Sequence, residues 1–176
     1  KALGVTLQMT VISLFFATIL GVIFGLFKVS DFKALKFIAN IYIDIIRGTP
    51  LLVQVFIMYY GVGSMLRPYG FQWNMIGGAF SAGCVTLSLN AGAYMAEIIR
   101  GGIEAVDKGQ MEAARSLGLS YGKAMRKVIL PQAFRTMLPT IINQFIISLK
   151  DTSLISVIGP RALTQNSTII AANASS

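Results

Sequence analysis

Residues 1–28 read KALGVTLQMTVISLFFATILGVIFGLFK, with 26 uncharged positions between Lys1 and Lys28. A helix that crosses a bilayer needs about 20 mainly apolar residues, so this stretch is long enough to span and sets the class of the whole chain. It is too long for the apolar part of a cleavable signal, and no typical cleavage site follows before Lys28. Inside it, Gly21 and Gly25 have small-xxx-small spacing, which lets a second helix approach closely, although the pattern is also common by chance.

Outward from this stretch, the same test is applied to the intervals between charges. Arg47 to Arg67 encloses 19 uncharged residues and predicts a second span, opened by Thr49 as N-cap and Pro50 as first helical residue. Arg67 to Glu97 encloses 29, enough for an outer loop, Pro68 to about Asn74, and a third span from about Met75 to Ala96. Between Arg135 and Lys150 lie only 14 residues, which rise about 21 Å. That is short of a hydrocarbon core of about 30 Å. Reaching Ile158 gives sufficient length but carries Lys150 and Asp151 toward membrane depth. Each charge there costs roughly 2.5–3.5 kcal/mol, so such residues usually face a bundle interior or an aqueous cavity.

Composition agrees. Of 176 residues 55% are hydrophobic and 12% charged, against about 25% charged in ordinary soluble domains. With no histidine, imidazole metal sites and Ser-His-Asp triads are excluded. The single cysteine, Cys84, cannot make an intrachain disulfide or a thiolate cluster, and no metal site is expected. The net charge of +8 is unevenly placed. Lys28, Lys33, Lys36 and Arg47 lie between spans one and two. Arg100, Lys108, Arg115, Lys123, Arg126, Lys127 and Arg135 lie between spans three and four. Both connections fall on one face, which the positive-inside rule makes cytoplasmic. The N-terminus is then outside, and the chain returns outside near Gly159-Pro160, leaving Arg161 and a polar tail, Gln165 to Ser176, with no return span.

The second connection, residues 101–133, has helical punctuation of its own. Gln110-Met-Glu-Ala-Ala-Arg-Ser-Leu117 is rich in helix formers, with Glu112 expected in the first turn. Gly118 reads as the residue that ends this helix, and Ser120 as the N-cap of a second one running toward Pro131. Ala113 and Ala114 leave a low surface beside Met111, Arg115 and Leu117, suited to a groove in another protein. The same spacing resembles a DNA-reading helix-turn-helix, but membrane spans flank both ends closely.

Here the residues match a family. Glu112-Ala-Ala, three residues, Gly118, nine residues, Val128, one residue and Leu130-Pro131 resembles the EAA loop, EAA-x3-G-x9-I-x-LP, of the membrane subunits of binding-protein-dependent ABC importers. Val128 in place of Ile is the one departure. Arg47-Gly-Thr-Pro-Leu-Leu-Val-Gln54, Ala91-Gly-Ala-Tyr-Met-Ala-Glu-Ile-Ile-Arg-Gly-Gly-Ile103, Gly109 to Ala114 and Lys150-Asp-Thr-Ser-Leu154 resemble the polar amino acid branch.

The resemblance implies an all-α polytopic helix bundle of the type I importer fold, with four spans visible here of a usual five. Residues 1–176 would form one permease domain lacking a C-terminal span. It also implies a multi-pass protein of the bacterial inner membrane that moves amino acids by alternating access. Partners would be a second permease subunit, identical or related, an extracytoplasmic binding protein and a cytoplasmic ATPase. The chain would be no enzyme and hold no cofactor, with ATP and magnesium on the ATPase. The nearest phosphate-loop look-alike, Gly118-Leu-Ser-Tyr-Gly-Lys-Ala124, lacks the required spacing and hydroxyl. Gln110, Glu112, Ala113, Ala114, Arg115, Leu117 and Gly118 would couple to that ATPase.

Candidates for the substrate pathway are Asp151, Thr152 and Ser153, whose carboxylate and hydroxyls could hold an ammonium or side chain. Helix packing or a Lys150–Asp151 pair would explain them equally. Gln54, Asn90, Tyr94 and Glu97 are further candidates. The first three could simply hydrogen-bond a neighbouring helix, Glu97 could pair with Arg100, and Asp44 with Arg47. Two competing functions remain at this stage. A secondary transporter or channel driven by an ion gradient is disfavoured by the structured loop and by the lack of a visible inverted repeat. A membrane anchor that transports nothing would leave Asp151 without a role.

Overall fold

The computed structural model describes residues 2–70 and 78–175, and their side chains except at residues 2, 79 and 156–171. All regular structure among them is helical. In order come α1 (Ala2–Val29), α2 (Lys33–Arg47), α3 (Leu51–Tyr69), α4 (Ala79–Glu104), α5 (Lys108–Ser116), α6 (Tyr121–Ala124) and α7 (Leu130–Ala174). A π-helical stretch, Ile57–Val62, lies within α3, and another, Met125–Ile129, joins α6 to α7.

Among the described residues two helices, α1 and α4, are long and apolar enough to cross a membrane by themselves. A third crossing is available if α2 and α3, bent by 110° at their junction, form one broken span. The expected outer loop lies partly outside the described residues. Pro68 and Tyr69 belong to a 3₁₀ turn closing α3, whereas 71–77 and the expected start of the third span near Met75 are not described.

α4 is the central element, packed between α1 and α7. Its contact with α1 is a seam of small residues: a Cβ built on Gly21 would sit 2.5 Å from Met95 Cβ, one on Gly25 3.0 Å from Ile99 Cβ, and one on Gly92 2.9 Å from Leu20 Cβ. Without a hydrophobic drive between helices in lipid, this close backbone approach supplies the attraction. The Gly21–Gly25 spacing therefore has a structural use. The outward face of α1, including Val11, Phe15, Phe16 and Ile19, stays exposed, as a lipid-facing surface should.

Three threonine hydroxyls buried in the bundle are satisfied locally. Thr10, Thr86 and Thr152 each donate to the carbonyl four residues earlier, at 2.7, 2.8 and 2.6 Å. Such back-bonding lets a polar side chain sit in an apolar helix without an unpaired donor.

The structure adds two features to the sequence reading and corrects one. The first connection is a full amphipathic helix, α2, whose Ala39 and Ile43 are buried against Ala93 and Ala96 of α4. Thr49 does not cap α3; Pro50 holds that position, and the Thr49 hydroxyl donates back to Ile45 O at 2.9 Å, closing α2 instead. The last helix continues past Gly159-Pro160 and runs 45 residues, about 68 Å at 1.5 Å per residue. Pro131, Pro139 and Pro160 lie within it. Proline's fixed φ suits a helix, and its costs are one missing hydrogen bond and a crowded preceding turn. The wide π turn just before Pro131 gives room for that crowding.

Candidate functional site

Two regions of the molecule collect the polar residues singled out above. One is the α5 corner. Asp107 caps α5, its Oδ1 accepting from Gly109 N at 3.1 Å. The helix thus begins earlier than expected, and Glu112 lies past its first turn. Gly118 has φ +91°, a left-handed conformation that suits glycine. Leu119 N donates to Ala114 O at 3.2 Å and Gly118 N to Arg115 O at 3.0 Å, the paired bonds of a Schellman ending. Ser120 then caps α6, accepting from Lys123 N at 3.3 Å.

This corner is held by few residues. Ala114 is buried, and Met111 packs against the cluster of Ile103 and Ile129. Gln110 reaches Gln132 of α7, with its Oε1 accepting at 3.2 Å. Glu112, Ala113, Arg115 and Gly118 are exposed, and Leu117 is 85% exposed. Of the seven coupling candidates, Ala114 therefore anchors the helix while the others point away from the bundle or sit at its edge.

The second region lies where α1, the α2–α3 bend, α4 and α7 meet. Gln54 is its structural centre. Its amide nitrogen donates to Ile46 O at 2.8 Å, Thr49 O at 3.0 Å and Thr49 Oγ1 at 2.8 Å, and its Oε1 accepts from Asn90 Nδ2 at 3.1 Å. One side chain thus ties the C-terminus of α2, the bend and α4 together. Gln54 and Asn90 are both buried, so their hydrogen bonds fix the corner.

Glu97 lies further along α4 and gathers three cations. It accepts from Lys28 of α1, and Arg100 donates to its Oε2 through Nε at 3.1 Å and Nη2 at 2.8 Å. Arg47 Nη1 stands 3.7 Å from the same oxygen, with its guanidinium 5.8 Å from the centre of the Tyr94 ring. The Glu97–Arg100 pair was anticipated. The Asp44–Arg47 pair is not formed, because Arg47 turns toward α4. The contacts of Lys28 and Arg47 with Glu97 are not legible in the sequence, since spacing along a helix carries no sign of a partner 69 or 50 residues away.

Asp151, Thr152 and Ser153 do not form one cluster. Successive residues of a helix point about 100° apart, and here Thr152 is 1% exposed, Ser153 is exposed and Asp151 half-buried. The two hydroxyls donate to Ser148 O and Leu149 O. Asp151 and Lys150 make no ion pair among the described residues. No group of acidic, cysteine or histidine side chains there could hold a metal ion.

Comparison with known proteins decides what this bundle is. A family model described as the binding-protein-dependent transport system inner membrane component matches residues 17–175. The chain belongs to this family. The permease is similar to the arginine transport system permease protein ArtQ of Bacillus subtilis, 44% identical over 90% of this chain and 69% of that protein. It is also similar to a putative glutamine transport system permease protein GlnP of Rickettsia felis, 39% identical over 94% of this chain and 73% of the relative. A crystal structure of an amino acid ABC transporter with histidines superposes with a TM-score of 0.75 at 45% identity, covering 94% of this chain and 73% of that one. The permease is therefore a multi-pass membrane subunit of an ABC transporter, which works with a binding protein and leaves ATP hydrolysis to a separate ATPase.

Proposed function

We propose that this permease forms, with an identical or related subunit, the translocation pathway of an ATP-driven importer for polar amino acids. The α5 corner docks on the cytoplasmic ATPase, and closing of the ATPase biases the bundle between inward-open and outward-open states. Such a bias requires the ATPase to bind the two states differently. The N-terminus of the chain lies outside and α5 in the cytoplasm, following the positive charges.

The observation that carries the coupling role is the surface of α5. A nine-residue helix capped at both ends projects an almost fully exposed leucine beside Glu112 and Arg115. An apolar knob in a charged rim is the composition of a buried anchor at a protein interface. For the substrate, the support is that relatives are named for arginine and glutamine transport. The half-buried Asp151 carboxylate adds a partner for an ammonium or cationic side chain.

The test is reconstitution of the permease with its ATPase and binding protein. Leu117→Glu and Glu112→Lys should lower ATP-driven amino acid uptake about tenfold or more. The complex should still insert into the membrane, since neither side chain packs inside the bundle. Unchanged uptake in both variants overturns the coupling role, and uptake sustained by an ion gradient without ATP overturns the importer reading.

A further inference from the structure

Between the end of α2, α4 and α7 lies a cleft of about 260 Å³ lined by Arg47, Tyr94, Glu97, Ile98, Thr140, Asn143 and Gln144. Arg47 and Glu97 are the charged residues of its lining. The acid is held from outside the cleft by Lys28 and Arg100, and Arg100 Nη1 also reaches Glu104 at 2.6 Å. Arg47 is the most loosely held of the three cations around Glu97. At 3.7 Å from Glu97 it is beyond hydrogen-bond reach, and its side chain is 48% exposed.

Across the cleft, α7 offers uncharged polar groups. The side chains of Thr140 and Asn143 are exposed and make no hydrogen bond among the described residues. Gln144 is buried and gives its amide only to Ser148 Oγ at 3.4 Å. A half-exposed guanidinium that donates no hydrogen bond to Glu97, opposite a hydroxyl and an amide, is the complement of a carboxylate. The volume admits a small organic acid.

Its position matters. Gln144 is seven residues from Asp151 on α7, about 10 Å along the axis, on the side nearer α5. We propose that this Arg47 cleft is a second station on the pathway, cytoplasmic to Asp151, that binds the α-carboxylate common to all amino acid substrates. The proposal rests on the functional reading above. Asp151 would meet the ammonium or side chain first. Arg47 with Asn143 would then receive the carboxylate as the substrate moves inward.

The experiment uses the purified permease–ATPase complex, free of nucleotide and binding protein, with radiolabelled L-arginine and L-glutamine. Each competes against its α-carboxamide, which keeps the ammonium and side chain but loses the negative charge. Wild type should prefer the carboxylate by about tenfold or more, the usual worth of a charge-assisted hydrogen bond. Arg47→Gln and Asn143→Ala should each reduce that preference while leaving carboxamide binding unchanged. Asn143 is exposed and unbonded, so its variant keeps the fold.

A preference intact in both variants overturns the proposal. So does an equal loss of both ligands, or no binding by a complex that takes up the amino acid. An anionic lipid phosphate is the other source of such chemistry. If Arg47→Gln instead removes only a dependence of uptake on phosphatidylglycerol in the vesicles, the proposal falls. Absence of ATP-driven uptake of either amino acid by the wild-type transporter, a separate result, would refute the functional reading itself.

Discussion

Replacing Gly21 by alanine tests whether the α1–α4 seam holds the bundle together. The added Cβ would lie 2.5 Å from Met95 Cβ, 3.2 Å from Met95 C and 3.3 Å from Ala96 N. Carbon atoms in contact prefer about 3.5–4.0 Å, and none of these neighbours can rotate away. The helices must part by about 1 Å over a region that is also tight at Gly25 and Gly92. Overpacking of this kind costs about 1–3 kcal/mol, against an intrinsic gain of about 1 kcal/mol for alanine over glycine in a helix.

The control is Gly4→Ala in the same helix, where nothing lies within 4 Å and only the gain applies. Gly21→Ala should therefore fall below Gly4→Ala by about 1–3 kcal/mol, the overpacking term that the control lacks. The assay is reversible unfolding of the purified protein in mixed micelles, followed by helical circular dichroism as the denaturing detergent fraction rises. Equal stability of the two variants would refute the seam.

Two further predictions concern the corners. Gln54→Leu removes this partner from Ile46 O, the Thr49 groups and Asn90; Asn90 is buried, and a buried polar group so stranded costs about 1–3 kcal/mol. A fall of at least that much in the same assay is expected, larger than for Asn90→Ala; a neutral result means that the bend is held by other contacts. Gly118→Ala forces a side chain into φ +91° and should cost about 1–2 kcal/mol of local stability. Hydrogen exchange should speed up at Gly118 and Leu119 amides, while exchange in α4 stays unchanged.

Much of this was legible in the sequence where the deciding physics is local. The first span, the glycine at the end of α5 and the Ser120 cap follow from hydropathy, from positive φ and from a hydroxyl beside free amides. Gln54, Asn90 and Tyr94 also stand out in the sequence as polar residues within apolar stretches, and Glu97 as a partner for Arg100. It could not say that Gln54 turns back across the bend, since that depends on a 110° change of direction. Nor could it say that Arg47 leaves its helical neighbour Asp44 for Glu97. Asp151, Thr152 and Ser153 look like a cluster in print because they are adjacent, yet a helix spreads adjacent residues around its axis. The helical spacing of apolar residues over 33–47, with Ala39 and Ile43 on one face, is the signal in the sequence that reveals α2.

The bend at Gln54 depends on the difference between nitrogen and oxygen at a single atom. Glutamate has nearly the same shape and lies one nucleotide away in the genetic code. In that variant the two carbonyls and the Thr49 hydroxyl oxygen would confront an acid oxygen where the amide nitrogen now donates. A change that conserves volume would thus turn attraction into repulsion at both carbonyls at once, and the Thr49 hydroxyl could donate to the acid only by leaving Ile45 O. This corner therefore tolerates small errors of size better than it tolerates an error in the direction of its hydrogen bonds.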